Sequence, residues 1–326
     1  MHKKKFNFYT KIKTWLKRDT PLFATRISFI ASLLIAIFGI AIGISEGSLA
    51  VKINGLIASV DVLNSLLLIT AVNHSIKSPD YVFNYGYGKY ESISILVSAG
   101  LFFIVSGYTL YEAIQSFGDI EEINGNYYYL LIFSTISFLL MNFMSKFEKK
   151  TAKKFHIPIL EYDSNIWKID SYIELGIISN LILGAILSYN DLSYYGRIID
   201  SLTAVLLMAY ALKTPLKGSK DALNQLLDRT LSDQVQFEIL SIVVQHLNQM
   251  CEYKTVHTRQ SGKDIFIEID LVLPFDYTMN QKNEIEEILK KSITAKFPTA
   301  ITRIYAHPCS GECISGEQRN CPIFLN

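Results

Sequence analysis

Neither a glycine-rich phosphate loop nor a nucleophile elbow occurs in the 326 residues, which argues against an ATP-driven pump and against nucleophilic enzyme chemistry. No removable signal is expected, because no small-residue cleavage site closes the first apolar run. The net charge is only +1, so no global basic field invites nucleic acid. Cysteine is sparse. Cys251, Cys309, Cys313 and Cys321 are the four, all in the last part of the chain, and in a reducing compartment they are thiols or metal ligands rather than disulfides.

Charge is missing altogether from four stretches, Ile27–Ser45, Ser92–Tyr111, Ile123–Ser145 and Gly176–Asn190, the last extending back through Glu174 and Asp170. Two more, Ile53–Asn73 and Ile198–Leu212, are interrupted once each, by Asp61 and Asp200. Each approaches the length that crosses a bilayer. With half of all residues hydrophobic and a mean hydropathy of +0.24, six membrane spans are expected. Basic residues sit at alternate ends. Lys3, Lys4, Lys5, Lys11, Lys13, Lys17 and Arg18 precede the first span, Lys146, Lys149, Lys150, Lys153 and Lys154 follow the fourth in what reads as a loop, and Lys213, Lys217 and Lys220 follow the sixth. The opposite loops carry Glu46, Glu112, Asp119, Glu121 and Glu122. By the positive-inside rule both termini face the cytoplasm, in an integral protein of a cell's inner or plasma membrane.

Past Lys220 the pattern changes. Ser232–Met250 has apolar residues at helical spacing, Tyr253–Thr258 and Ile265–Leu273 read as strands joined through Gln260–Lys263, Asn280–Lys296 as a helix, and Ala300–Ala306 as a third strand. The expected fold is therefore a membrane α-helical six-helix bundle followed by an α+β domain of order αββαβ, two helices on one face of a three-stranded sheet. The expected divisions are a basic segment 1–22, the bundle 23–217, the αββαβ domain 218–308 and a Cys-containing tail 309–326.

Asp61 and Asp170 lie deep within their spans. A carboxylate at the centre of a membrane helix costs roughly 2.5–3.5 kcal/mol on insertion scales, and such residues usually mark an ion pathway. A pathway for cations is the reading that follows.

Three local motifs sit in a matching order: Tyr85-Gly86-Tyr87-Gly88-Lys89-Tyr90-Glu91 before the third span, Leu227-Asp228-Arg229 after the sixth, and Thr258-Arg259-Gln260-Ser261-Gly262 in the hairpin. Together with the six spans and the acidic second and fifth, the chain from about Ile27 to Cys309 resembles the cation diffusion facilitator family. The resemblance implies a homodimer in the lipid bilayer that exports divalent metal, as substrate, in exchange for protons. It implies no enzyme activity, resident cofactor or nucleic-acid partner. Members place His or Asp four residues before an Asp on both spans. Here the second members fall on Asp61 and Asp170 and the first on Ile57 and Ile166.

Helical spacing offers substitutes. Asp163, Asp170 and Glu174 repeat at seven and four residues, as do Asn54, Asp61 and Ser65. The expected transport site is Asp61, Asp170 and Glu174, helped by Ser65 or Asn64, with Asp163 on the same stripe. An all-oxygen set favours hard cations such as Mn²⁺, with Fe²⁺ tolerated, over Zn²⁺. The alternative is a degenerate, non-transporting member that senses metal or partners an active paralogue.

Two further sites are implied. The family's loop site would fall on Asp80, Phe83 and Tyr87, where only the Asp is a ligand type. Its dimer-bridging ligands would fall on Lys254, Asp270, Asn283, Tyr305 and His307. In their place, His307, Cys309, Cys313 and Cys321 form a candidate cytoplasmic site for zinc or iron.

Overall fold

The structure, a computed structural model, describes residues 20–46, 49–115, 127–189, 205–206, 209–210 and 212–310. They form two compact units divided between Leu223 and Asn224, and each is treated by itself. The first holds α1 (Pro21–Ser45), α2 (Leu49–Ser75), α3 (Lys89–Gln115), α4 (Tyr127–Phe155), α5 (Pro158–Tyr189) and most of α6 (Lys213–Leu226). Among the described residues, five helices are long and apolar enough to cross a membrane. The sixth expected span lies outside the described residues except for positions 205–206, 209–210 and 212, as do the basic stretch at 1–19 and the acidic residues at 119–122.

In the bundle two boundaries differ from the sequence expectation. The lysines from Lys146 to Lys154 lie on α4 itself, which runs on to Phe155. The stop is a left-handed His156 at φ 53°, with the Ile157 amide donating to Ala152 O at 3.2 Å. That is the hydrogen bond of a Schellman cap, and Ile157 and Ala152 pack in one apolar cluster. Pro158 then opens α5 at a position where the missing amide costs nothing. The second difference is the expected division at 217/218, which falls inside α6. Ala222 is buried with Leu160 and Ile159, so this part of α6 belongs with the bundle.

The bundle is apolar outside and buries polar groups among its apolar clusters. Ile37, Phe38, Ile104, Ile136, Leu139 and Phe143 are all more than half exposed, while Ser28, Ser32, Asn54, Ser65, Ser134, Ser137, Asp170 and Glu174 are buried. Such an inversion suits helices whose solvent is lipid. Helices α1 and α2 cross backbone against backbone. A Cβ on Gly55 would stand 2.5 Å from the Ile40 amide nitrogen, and one on Gly39 would stand 2.9 Å from Gly55 Cα. Neither neighbour is a side chain that can swing away.

The second unit has α7 (Asp233–Val244), β1 (Glu252–Ser261), β2 (Asp264–Leu273), α8 (Met279–Lys296) and β3 (Ala300–Pro308). The sheet order is β1-β2-β3, antiparallel then parallel. Ile267, Ile269, Leu271 and Leu273 of β2 pack against Ile239, Ile242 and Val243 of α7 and Ile285, Leu289 and Ile293 of α8, so both helices share one face. The first helix stops at Val244, short of the expected Met250, because the polar run Gln245-His246 has little to bury; a single 3₁₀ turn, Leu247–Gln249, follows. A capping box joins Thr278 and Gln281 at the start of α8. Gly262, at φ 59°, closes the β1–β2 hairpin.

Two of the motifs meet here. Arg259 Nη1 donates to Asp228 Oδ1 at 3.1 Å, and its guanidinium lies 4.4 Å from the centre of the Phe266 ring. Asp228 is itself left-handed, at φ 52°. The ion pair is partly exposed, so its value is orientation more than stability.

Gly55→Val is expected to lower the melting temperature of the detergent-solubilised chain, an overpacking cost of about 1–3 kcal/mol or more. Gly107→Ala, where a Cβ meets nothing within 4 Å, should leave it unchanged or raise it slightly. Size-exclusion profiles after a temperature series read both; equal melting of the two variants refutes the tight crossing.

Candidate metal centre

Asp61 stands on α2 and Asp170 on α5, each well away from the ends of its helix. Asp170 is buried at 7% exposure, and it lies within coulombic reach of Asp61, Asp163 and Glu174. The Asn64 amide, one helical turn on from Asp61, reaches the Asp61 carboxyl. Glu174 is fully buried. Asn54 Nδ2 donates to its Oε2 at 2.5 Å, and Ser134 of α4 stands beside it. Asn54 thus ties α2 to α5 and orients a carboxylate at the same time.

The other expected residues divide. Ser65 is buried and faces α1, with its Oγ 3.5 Å from Ser32 Oγ. Asp163 accepts from Ser28 Oγ at 3.3 Å, and Trp167 Nε1 donates to Ser28 Oγ at 2.9 Å. Lys168 is exposed and lies over the Tyr172 ring, 5.7 Å from its centre. Ile166 is buried and offers no lone pair. Among the described residues, no three His, Cys, Asp or Glu side chains converge as a ready-made metal cluster.

Two carboxylates were not anticipated as parts of the interior. Glu148 reads in sequence as one acid within a lysine run, yet it is fully buried and faces Asp163. Its signal was the helical period. Leu130, Ser134, Ser137, Met141, Met144 and Ala152 are all buried on α4, and Glu148 continues their spacing of three and four. Glu91, from the glycine-containing motif, is also buried, and its Oε2 accepts from the Ile159 amide at 3.3 Å. A carboxylate on the first turn of α5 satisfies an orphan amide and complements the helix dipole.

In the loop after α2, Asp80 Oδ1 accepts from the Val82 and Phe83 amides at 2.9 and 2.8 Å, and Tyr87 Oη donates to Oδ2 at 2.6 Å. Phe83 and Tyr87 rings lie 4.5 Å apart, and His74 stacks on Tyr90 at 4.7 Å. The Asp80 carboxylate is engaged in closing its own loop. The Tyr87 hydroxyl, followed by the backbone amides, holds its pKa below the ordinary aspartate value.

In the second unit His307 Nε2 lies 3.9 Å from Asp270 Oδ1, whose other oxygen accepts from Thr255 Oγ1 at 2.5 Å. Lys254 sits at the irregularity of the β1–β2 register. Cys309 is buried against Val272 with Cys251 alongside, and both are thiols. Cys313 and Cys321 lie outside the described residues.

The cation efflux transmembrane domain matches residues 25–227, and the cytoplasmic domain of cation efflux proteins matches residues 231–309. Similar proteins include the cation-efflux pump FieF of Yersinia pestis (strain Pestoides F) and that of Yersinia pseudotuberculosis serotype IB (strain PB1/+). Each is 27% identical over 259 residues, covering 77% of this chain and 80% of the relative.

Tyr87→Phe should raise the Asp80 pKa toward the ordinary aspartate value. Because the folded-state value is depressed, Asp80 orders the loop above the ordinary carboxylate range and that contribution fades as pH falls through the depressed value. In the variant the fading should begin at higher pH. A carboxyl-detected NMR titration of the labelled protein reads this, and an unmoved titration refutes the assignment.

Proposed function

The chain belongs to the cation efflux family, and on that premise we propose that it exports divalent metal cations from the cytoplasm in exchange for protons, with Asp61 and Asp170 as the central ligands. The observation that carries this reading is the placement of two carboxylates mid-helix on α2 and α5, within reach of each other's charge. Glu174, held by Asn54, is the third acid of the site. Asn64 beside Asp61 and water complete the shell. Ser65 and Asp163 stand at its margins.

The donor set is oxygen throughout, and Ile57 and Ile166 withhold the additional ligands. Hard cations of the Mn²⁺ type, with Fe²⁺ next and Zn²⁺ last, fit such a set. Exchange follows from electrostatics. Carboxylates crowded in a medium of low dielectric hold a cation or protons, and either displaces the other. The C-terminal domain is the contact between two copies, with both termini cytoplasmic, and His307 and Cys309 begin a tail site for zinc or iron completed by Cys313 and Cys321.

The two isoleucines, with the absence of a ready three-acid cluster among the described residues, also favour a second reading, a member that has kept the fold and lost transport. Proteoliposomes separate the two. Metal-driven proton flux is measured with Mn²⁺, Fe²⁺, Co²⁺, Zn²⁺ and Cd²⁺ on wild type, Asp61→Ala and Asp170→Ala. Expected are flux strongest for Mn²⁺ or Fe²⁺ and a fall to the protein-free level in both variants. A folded wild type silent with every metal means the non-transporting reading, and flux indifferent to the pH gradient removes the exchange.

A further inference from the structure

Glu148 is hard to account for by folding alone. A carboxylate out of contact with water is costly unless charge or hydrogen bonds compensate it. Glu148 is fully buried, and neither of its oxygens has a partner of good hydrogen-bond geometry, its polar neighbours being Ser28 and the Asp163 carboxyl. The neighbouring charge that acts on it is Asp163, of the same sign. Ser28 lies close to both acids, but its single proton goes to Asp163 Oδ2, and Trp167 occupies a lone pair of the same hydroxyl. The two donors aim Asp163 and leave Glu148 unanswered. A fully buried acid with only a second acid and a committed hydroxyl beside it calls for a positive partner.

Space and additional oxygen are at hand. Asp163 borders a cavity with Asn64, Ser94, Ser98 and Tyr162 on its polar side and Leu67, Leu68, Ile95 and Ile159 on its apolar side. Its volume is ≈ 10 Å³, room for about one water molecule. Asn64 Oδ1, in the same wall, is buried without a partner, while its amide serves Asp61. The cavity therefore adjoins Asp163 and Asn64, the neighbour of Asp61. Asp163 precedes Asp170 by seven residues on α5, about 10 Å along the axis, on the side where α4 ends and α5 begins.

We propose that Glu148 and Asp163 hold a divalent cation in a second, oxygen-only site, two helical turns from Asp61 and Asp170. The inference rests on the cation-export reading and adds to it a stage before the central ligands, where an ion arriving from the lysine-bearing end of α4 is held and then handed inward past Asn64. Two carboxylates with the remaining positions filled by water suit a hard, partly hydrated ion. The occupant is thus of the Mg²⁺ or Mn²⁺ type rather than a thiophilic one.

The test uses the full chain in detergent micelles with Mn²⁺ as the probe. Paramagnetic Mn²⁺ bound beside Asp163 quenches Trp167, and Trp15→Phe in every sample makes Trp167 the sole indole. Bound Mn²⁺ is counted in parallel by electron paramagnetic resonance, where the tail thiols compete poorly for so hard an ion. In Asp61→Asn/Asp170→Asn the Mn²⁺-dependent quenching of Trp167 should persist, with one bound ion of two lost. Adding Glu148→Gln should abolish the remainder, and Asp163→Asn, made separately, should do the same. Glu148→Gln alone should keep one ion, which shows the central site independently. Unchanged ion counts on replacing Glu148, loss on replacing only one of the two acids, or no Mn²⁺ retained once Asp61 and Asp170 are gone each overturn the second site. If wild type and Glu148→Gln each hold one ion and Asp61→Asn/Asp170→Asn none, the second site is wrong and the central site stands. If Glu148→Gln alone holds none while Asp61→Asn/Asp170→Asn still holds one, the second site stands and the central assignment fails.

Discussion

Burying negative charge in a bundle surrounded by lipid is the constraint on which this structure turns. Backbone groups in such a setting must be satisfied within each helix, and every ionised side chain needs a partner that water would otherwise supply. The chain meets the demand unevenly. Glu91 is answered by an amide on the first turn of α5, and Glu174 by Asn54. Asp61 has Asn64. Asp170 has other acids for company, and Glu148 has Asp163. A protein amide fixes a carboxylate's orientation and leaves its charge in place. Where only like charge is found, a mobile cation or proton is the natural complement.

Helix α5 is the element that gathers these groups. It carries Asp163, Trp167, Asp170 and Glu174, and each meets a different neighbour. Its first turn is tied to α3 through Glu91 and follows directly on the Schellman-capped end of α4. The glycine-containing motif before α3 thereby acquires a physical meaning, since its glutamate fixes the register of the helix that holds the acids. Across the bundle the Gly39–Gly55 contact brings α1 and α2 together, and α1 supplies Ser28 and Ser32 to Asp163 and Ser65. Small residues set the helix spacing that lets short hydroxyls reach.

Much of the architecture was legible beforehand because hydrophobic periodicity is a local property. Four runs without charge and one broken only by Asp61 announced five described spans, alternation on Ile265–Leu273 announced a strand facing two helices, and Gly262 announced the hairpin. What misled was punctuation. A lysine run after Ser145 reads as a loop, yet lysine is a good helix former and its long stem lets the ammonium reach water from a helix end. α4 therefore continues, and Glu148 is carried inward on its buried face. His156 occupies a left-handed position where glycine is the usual residue, so the actual stop left little trace.

The sequence by itself determined the membrane class, the αββαβ order of the C-terminal unit and the depth of Asp61 and Asp170, since each depends on what neighbouring residues along the chain prefer as solvent. Family resemblance added the expectation that these acids meet. Tertiary structure alone decided the partnerships: Asn54 with Glu174, Glu91 with the Ile159 amide, Asp228 with Arg259, and Glu148 with Asp163. These pairs are separated by 15 to 120 positions in the chain, and spacing within one helix constrains only the face a residue occupies. Which group waits on the facing helix is set by how the helices cross, and that depends on the packing of the whole bundle.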